Sequence, residues 1–156
     1  MNTAQDDKKF LQQTIALAAE NVQTGRGGPF AALVVKDEQV IATGANFVTS
    51  NNDPTAHAEI LAINEACQTL KNWRLDGATI YISLEPCQMC LGAIKNSRIS
   101  RVVFAAKSAV EASQQALPSI ETGLLEKESA EILQLFFRNV RRIKGDSGNK
   151  SGTDIF

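Results

Sequence analysis

Two short segments of this chain hold the residues best suited to chemistry. One is Pro54-Thr55-Ala56-His57-Ala58-Glu59, which contains the single histidine. The other is Glu85-Pro86-Cys87-Gln88-Met89-Cys90, which contains two of the three cysteines. Cysteines three apart on a helix share a face. In a first helical turn the unpaired N–H groups and the helix dipole favour thiolate over thiol. By itself the Cys-x-x-Cys fits a redox pair, half of a structural zinc site, or two buried helix cysteines. A structural zinc site takes four protein ligands. Cys67 lies ten residues beyond His57 on one expected helix, nearly three turns away, and reads as core. His57, Cys87 and Cys90 then remain as three ligands with an open position, the arrangement of a catalytic zinc, whose bound water has a pKa near ~7. Glu59 is two residues from His57 and is not needed as a ligand. It is placed to move protons, a contribution typically worth ~10²–10⁴ in rate. The plainer reading of Glu59 is a first-turn carboxylate complementing the helix dipole.

The elements expected to position these residues alternate in type. Leu11, Ile15, Ala18 and Val22 recur at helical spacing within 5–24, and Gly25 closes that run. Phe30 to Val35 reads as a buried strand. A polar turn at Lys36-Asp37-Glu38, without an Asn-Gly signal, leads to a second strand from Gln39 to Phe47. Asp53-Pro54 has the form of an N-cap followed by a first helical residue, for a helix running to about Leu70. Further strands are expected at Thr79–Leu84 and Arg101–Ala106, with a helix opening at Pro86 between them. A short helix at 109–117, an edge strand at Ser119–Thr122 and a last helix at 127–143 complete the chain. Residues 145–156 are expected to fray. An early hairpin followed by strand–helix alternation predicts an α/β fold, a mixed sheet with helices on both faces.

With 156 residues, 44% apolar and 21% charged, the chain is sized and composed as one globular domain, 1–156. Its net charge of −1 argues against a chain-wide basic surface for nucleic acid, although not against a local patch. No apolar run reaches ~18 residues, so no membrane partner is expected. The polar N-terminus has no signal-peptide pattern. An odd cysteine count fits a reducing, cytoplasmic location.

Taken together, His57-x-Glu59 and Pro86-Cys87-x-x-Cys90 form the signature of zinc deaminases. The chain resembles the cytidine-deaminase-like superfamily over roughly 5–143. The resemblance implies a three-layer α/β/α fold with a five-stranded mixed sheet, a zinc cofactor, and hydrolysis of an exocyclic nucleobase amine with release of ammonia. It also implies a homodimer. Gly27 to Val35, Asn51 to Glu59 and Glu85 to Ile94 resemble bacterial guanine deaminases. That likeness implies that Phe30 packs on the purine, Asn46 hydrogen-bonds it, and the Ala58 N–H contacts it near the zinc. It also makes Ser83 or Leu84 the carbonyl expected to face the departing amine. Guanine, converted to xanthine, is the expected substrate, within purine metabolism.

The C-terminal part resembles bacterial tRNA adenosine deaminases instead, at Glu121 to Leu125 and Phe136 to Arg142. So does Asn72-Trp73-Arg74-Leu75. tRNA adenosine is therefore the second expected substrate, and cytosine or another small base or nucleoside the third. Segment 107–112, Lys-Ser-Ala-Val-Glu-Ala, departs from both families. It lacks the acidic Gly-Phe-Asp-Asp of guanine deaminases, for which Glu111 is the candidate substitute. It also lacks the longer small-residue stretch of the tRNA enzymes. Residues 138–156 carry five positive and two negative charges, through Arg138, Arg141, Arg142, Lys144 and Lys150. This is a candidate RNA contact or a helix end complementing its dipole.

Overall fold

The computed structural model describes residues 3–107, 119–122 and 125–145, the side chains of 119–122 and 139–145 excepted. Its elements are α1 (Ala4–Gln23), β1 (Ala31–Lys36), β2 (Gln39–Ala45), α2 (Val48–Asn51), α3 (Ala58–Leu70), β3 (Thr79–Leu84), α4 (Gln88–Asn96), β4 (Arg101–Ala106), β5 (Ser119–Thr122) and α5 (Glu126–Gly145). The sheet is mixed, in the order β2-β1-β3-β4-β5. β1 is antiparallel to both β2 and β3. β3, β4 and the short β5 run parallel.

Strands β1, β3 and β4 are buried on both faces, and their apolar residues dominate accordingly, with the hydroxyl-bearing Thr79, Tyr81 and Ser83 of β3 as the buried exceptions. Their side chains alternate between two cores. Ala32, Val34, Ile80, Ile82, Val102 and Phe104 pack with Ala58, Ala62, Ile63 and Ala66 of α3 and Ile94 of α4. Leu33, Val35, Tyr81, Val103 and Ala105 pack with Phe10, Leu11 and Ile15 of α1. Helices thus cover both sheet faces, as the alternation of elements predicted. Asp7 of α1 is buried at the second interface. Its carboxylate accepts two hydrogen bonds from Arg101 (2.7 and 2.6 Å) and one from the Tyr81 hydroxyl (2.6 Å). The bidentate Arg101 pair ties α1 to β4, and the Tyr81 bond ties it to β3.

Three local expectations change. The helix expected from Asp53-Pro54 starts instead at Ala58, with His57 as N-cap. The Asp53 carboxylate is engaged by the Thr55 N–H (2.8 Å) and hydroxyl (2.7 Å) in a turn. Likewise α4 begins at Gln88 with Cys87 as N-cap, and not at Pro86. The second strand ends at Ala45, and the short α2 follows. The β1–β2 turn is a two-residue loop with Asp37 and Glu38 both at positive φ (50° and 62°). That is the backbone of a type I′ hairpin, filled here without the usual Asn-Gly. The helix expected at 109–117, candidate Glu111 and the tail from 146 onward lie outside the described residues.

Candidate active site

The sheet topology gathers one set of ends. β3 and β4 finish where β1, running antiparallel to β3, begins and where β2 finishes. Residues just before β1 (Phe30), just after β2 (Asn46) and just after β3 (Glu85 to Cys87) therefore share one edge. The carboxyl ends of parallel strands are the usual location of ligand sites in open α/β sheets. Backbone bonds hold the loops there. Glu85 N–H donates to Ala106 O (2.8 Å), Phe47 N–H to Ala56 O (3.0 Å), and Asn46 N–H to Phe30 O (3.1 Å). Ala31 N–H donates to the buried Ser83 hydroxyl (3.1 Å).

At this edge the N-termini of α3 and α4 converge. His57 and Cys87 are their N-caps, with extended backbones and no side-chain capping bond. A Ser, Thr, Asp or Asn in such a position would be worth about 1 kcal/mol. Here the cap side chains turn toward each other instead. His57 Nδ1 lies 3.7 Å from Cys87 Sγ and 3.6 Å from Cys90 Sγ. Among the described residues these three form a group whose ligand atoms all fall within 4.8 Å of one another. Tetrahedral zinc, at about 2.1 Å to nitrogen and about 2.3 Å to sulfur, sets N–S edges of roughly 3.6 Å. The donor set and its spacing fit that ion. Burial first, then the Glu59 carboxylate and the Cys87 sulfur, push the Cys90 thiol far above its ordinary range. A divalent cation reverses that preference by binding the thiolate.

Glu59 is buried in the first turn of α3. Burial raises its carboxyl above the ordinary range, opposed by its own backbone N–H, His57 and Cys90. A carboxyl with a raised pKa beside a metal-ligand cluster suits acid–base work. Ala58 is buried as the first residue of α3, where a backbone N–H has no acceptor within the helix.

Phe30 is half-buried and packs against the α3 side of the sheet. The Asn46 side-chain oxygen accepts from Val48 N–H at 3.3 Å. Cys67 is partly buried against the same core, and its thiol is raised by that burial. Its sulfur lies 3.7 Å from the Trp73 carbonyl, so it stands apart from the ligand group. The Trp73 indole is 61% exposed, with the Arg74 guanidinium 5.7 Å from its ring centre. The Ser83 carbonyl accepts from the buried Ser129 hydroxyl of α5 at 2.6 Å. Of the two carbonyls expected to face a departing amine, Ser83's is thus already engaged. Phe136 and Phe137 meet edge to face, with centroids 5.3 Å apart. Arg138 is exposed; the side chains of Arg141, Arg142 and Lys144, and all of Lys150, lie outside the described residues. The sequence carries no signal for Ser129 and Asn21, because an isolated serine or asparagine has no spacing pattern.

The family profile of MafB19-like deaminases matches residues 5–141. The chain is 52% identical over 98 residues to the guanine deaminase of Bacillus subtilis (strain 168), a match spanning 63% of this chain and 63% of that enzyme. It is 35% identical over 150 residues to the tRNA-specific adenosine deaminase of the same organism, spanning 88% of this chain and 92% of that one. A structure from work on A-to-I editing by tRNA:A34 deaminases at the wobble position of transfer RNA superposes with a TM-score of 0.74. It is 37% identical and covers 80% of this chain and 99% of its own. No helix among the described residues is long and apolar enough to cross a membrane.

Proposed function

We propose, from the premise that the chain belongs to the MafB19-like deaminase family, that it hydrolyses the exocyclic amine of free guanine to give xanthine and ammonia. The observation that carries the reaction class is the buried Glu59 beside the converging His57, Cys87 and Cys90. These three residues would hold zinc. Bound there, zinc supplies Lewis acidity that makes hydroxide available near neutral pH. Glu59 takes a proton from the attacking water and delivers it to the ring nitrogen next to the amine-bearing carbon. A second proton passes through Glu59 to the leaving nitrogen as the C–N bond breaks, so water and amine become carbonyl oxygen and ammonia. The Ala58 N–H donates to the purine close to the reacting carbon. Phe30 lies against the purine face, and Asn46 pairs with its polar edge.

The choice of guanine rests on the 52% identity to a guanine deaminase and on the Gly27-Gly28-Pro29-Phe30 entry to β1. A second reading, deamination of adenosine in a tRNA anticodon stem-loop, is favoured by the longer match to a tRNA-specific enzyme, 88% of this chain. A panel of guanine, adenine, cytosine, their nucleosides and a stem-loop, with zinc-loaded protein, separates the two. The expected outcome is ammonia from guanine with little salt dependence. Inosine in the stem-loop, with activity falling steeply as salt rises and no turnover of any free base at millimolar concentration, would overturn guanine in favour of RNA.

A further inference from the structure

Asn21, near the end of α1, is 3% exposed. Its side-chain nitrogen donates to Gly28 O (2.9 Å) and to Asn46 O (3.0 Å). Both partners are carbonyls, which only accept, so the orientation of the amide is unambiguous. The bonds continue around a ring. Gly28 O also accepts from Phe30 N–H (2.9 Å), Phe30 O accepts from Asn46 N–H (3.1 Å), and Asn46 O returns to Asn21. The backbone is equally tight at Gly27, where an added Cβ would lie 1.9 Å from Asn46 O. One buried amide thus joins the Gly27-Gly28 loop to the end of β2, where Phe30 and Asn46 sit.

We propose that Asn21 is a positioning residue for base selection: its amide sets the relative placement of Phe30 and Asn46, and hence which base the site accepts. This deepens the nucleobase-deaminase reading and rests on it. Asn21 touches no reacting atom. It acts by fixing two backbone segments from different parts of the chain before substrate arrives, so that no binding energy is spent ordering them. Displacement of about 1 Å in such a wall is enough to cost up to ~10² in rate. The effect should fall on KM and on discrimination between bases, because the metal ligands and Glu59 are held by other contacts.

The test measures kcat and KM separately for each accepted base, together with zinc content and Tm, in four kinds of variant. Asn21→Ala removes both donors. Asn21→Gln keeps both donors on a side chain one methylene longer. Thr14→Val removes another buried polar group of α1, whose hydroxyl bonds only along its own helix, to Phe10 O. Asn46→Ala and Phe30→Ala report on the wall directly.

The expected result for Asn21→Ala is a KM raised about tenfold, the size of losing buried hydrogen bonds. Discrimination between the best and next-best base should narrow, with zinc still one per chain. Asn21→Gln should recover most of both. Thr14→Val should lower Tm without moving KM. If Asn21→Ala lowers Tm as Thr14→Val does and leaves KM and selectivity unchanged, Asn21 is structural only and the proposal falls. Should Asn21→Ala fail to fold, Asn21→Gln with lost selectivity, despite retained donors, would equally overturn it, and wild-type selectivity would support it. If Asn46→Ala and Phe30→Ala also leave KM unchanged, the pocket reading itself fails, a distinct result.

Discussion

At the scale of single residues, the site is built by breaking a local preference. His57 and Cys87 occupy N-cap positions that a Ser or Asp would fill more stably, and neither caps its helix. Such departures are expected where function takes precedence over local stability. Glu59 is the second departure, a carboxylate only 7% exposed. Its pKa is raised chiefly by burial. Glu59→Gln keeps the shape and removes the carboxylate proposed to carry protons. Activity should fall by roughly two to four orders of magnitude, while zinc content by atomic absorption stays at the wild-type level. Activity within a fewfold of wild type would remove Glu59 from the reaction.

At the scale of elements, what matters is how closely α3 approaches the sheet. An added Cβ on Gly44 of β2 would lie 2.0 Å from Ala58 O and 2.7 Å from Ala62 N. Only a glycine lets the first turn of α3, which carries His57, Ala58 and Glu59, sit this close. Gly44→Ala should therefore push that turn outward, at an overpacking cost of about 1–3 kcal/mol. The expected signs are a lower urea midpoint at unchanged m and weaker zinc retention against a chelator. Zinc retention equal to wild type would mean that the helix position is set elsewhere. The element scale is also where the sequence was hardest to read. Asp53-Pro54 has the composition of a helix start, but the Asp53 carboxylate is spent on Thr55, and the helix begins four residues after Pro54. At Asp37-Glu38 the polar turn and hairpin read from the sequence are present, but without Asn-Gly nothing in the sequence marked the type I′ backbone, which puts Glu38 as well as Asp37 at positive φ.

At the scale of the whole molecule, the metal would join the N-termini of two helices, α3 and α4, that follow different strands. α3 follows β2 and α4 follows β3, so zinc would cross-link segments thirty residues apart in sequence. A ligand bound only by the folded state stabilises it by mass action, by about 3 kcal/mol at a hundredfold excess over Kd. For a chain of this size that corresponds to roughly 5–10 °C in Tm. Removal of zinc by a chelator should lower Tm by that amount, and zinc, but not magnesium, should restore it. A Tm indifferent to both would argue against a metal at His57, Cys87 and Cys90.

Much of this could be read along the chain because the signals are local. Ligand chemistry is a property of side-chain type, so one histidine and a Cys-x-x-Cys sufficed to select the candidate donors. The period of apolar residues distinguished strands from helices, and the apolar runs at Ala31–Val35, Ile80–Ile82 and Val102–Ala106 marked strands covered on both faces. What no local signal contained was distance. That Phe30 and Asn46 meet at the edge holding Glu85 to Cys87 follows from β1 running against both of its neighbours. That Glu59 is buried depends on the contact of α3 with the sheet. The Asn21 amide reaches a carbonyl twenty-five residues away, a pairing written in no spacing rule. Residue type and period act within a few positions of one another, whereas burial and the partners of a buried amide exist only after strands distant in sequence have paired.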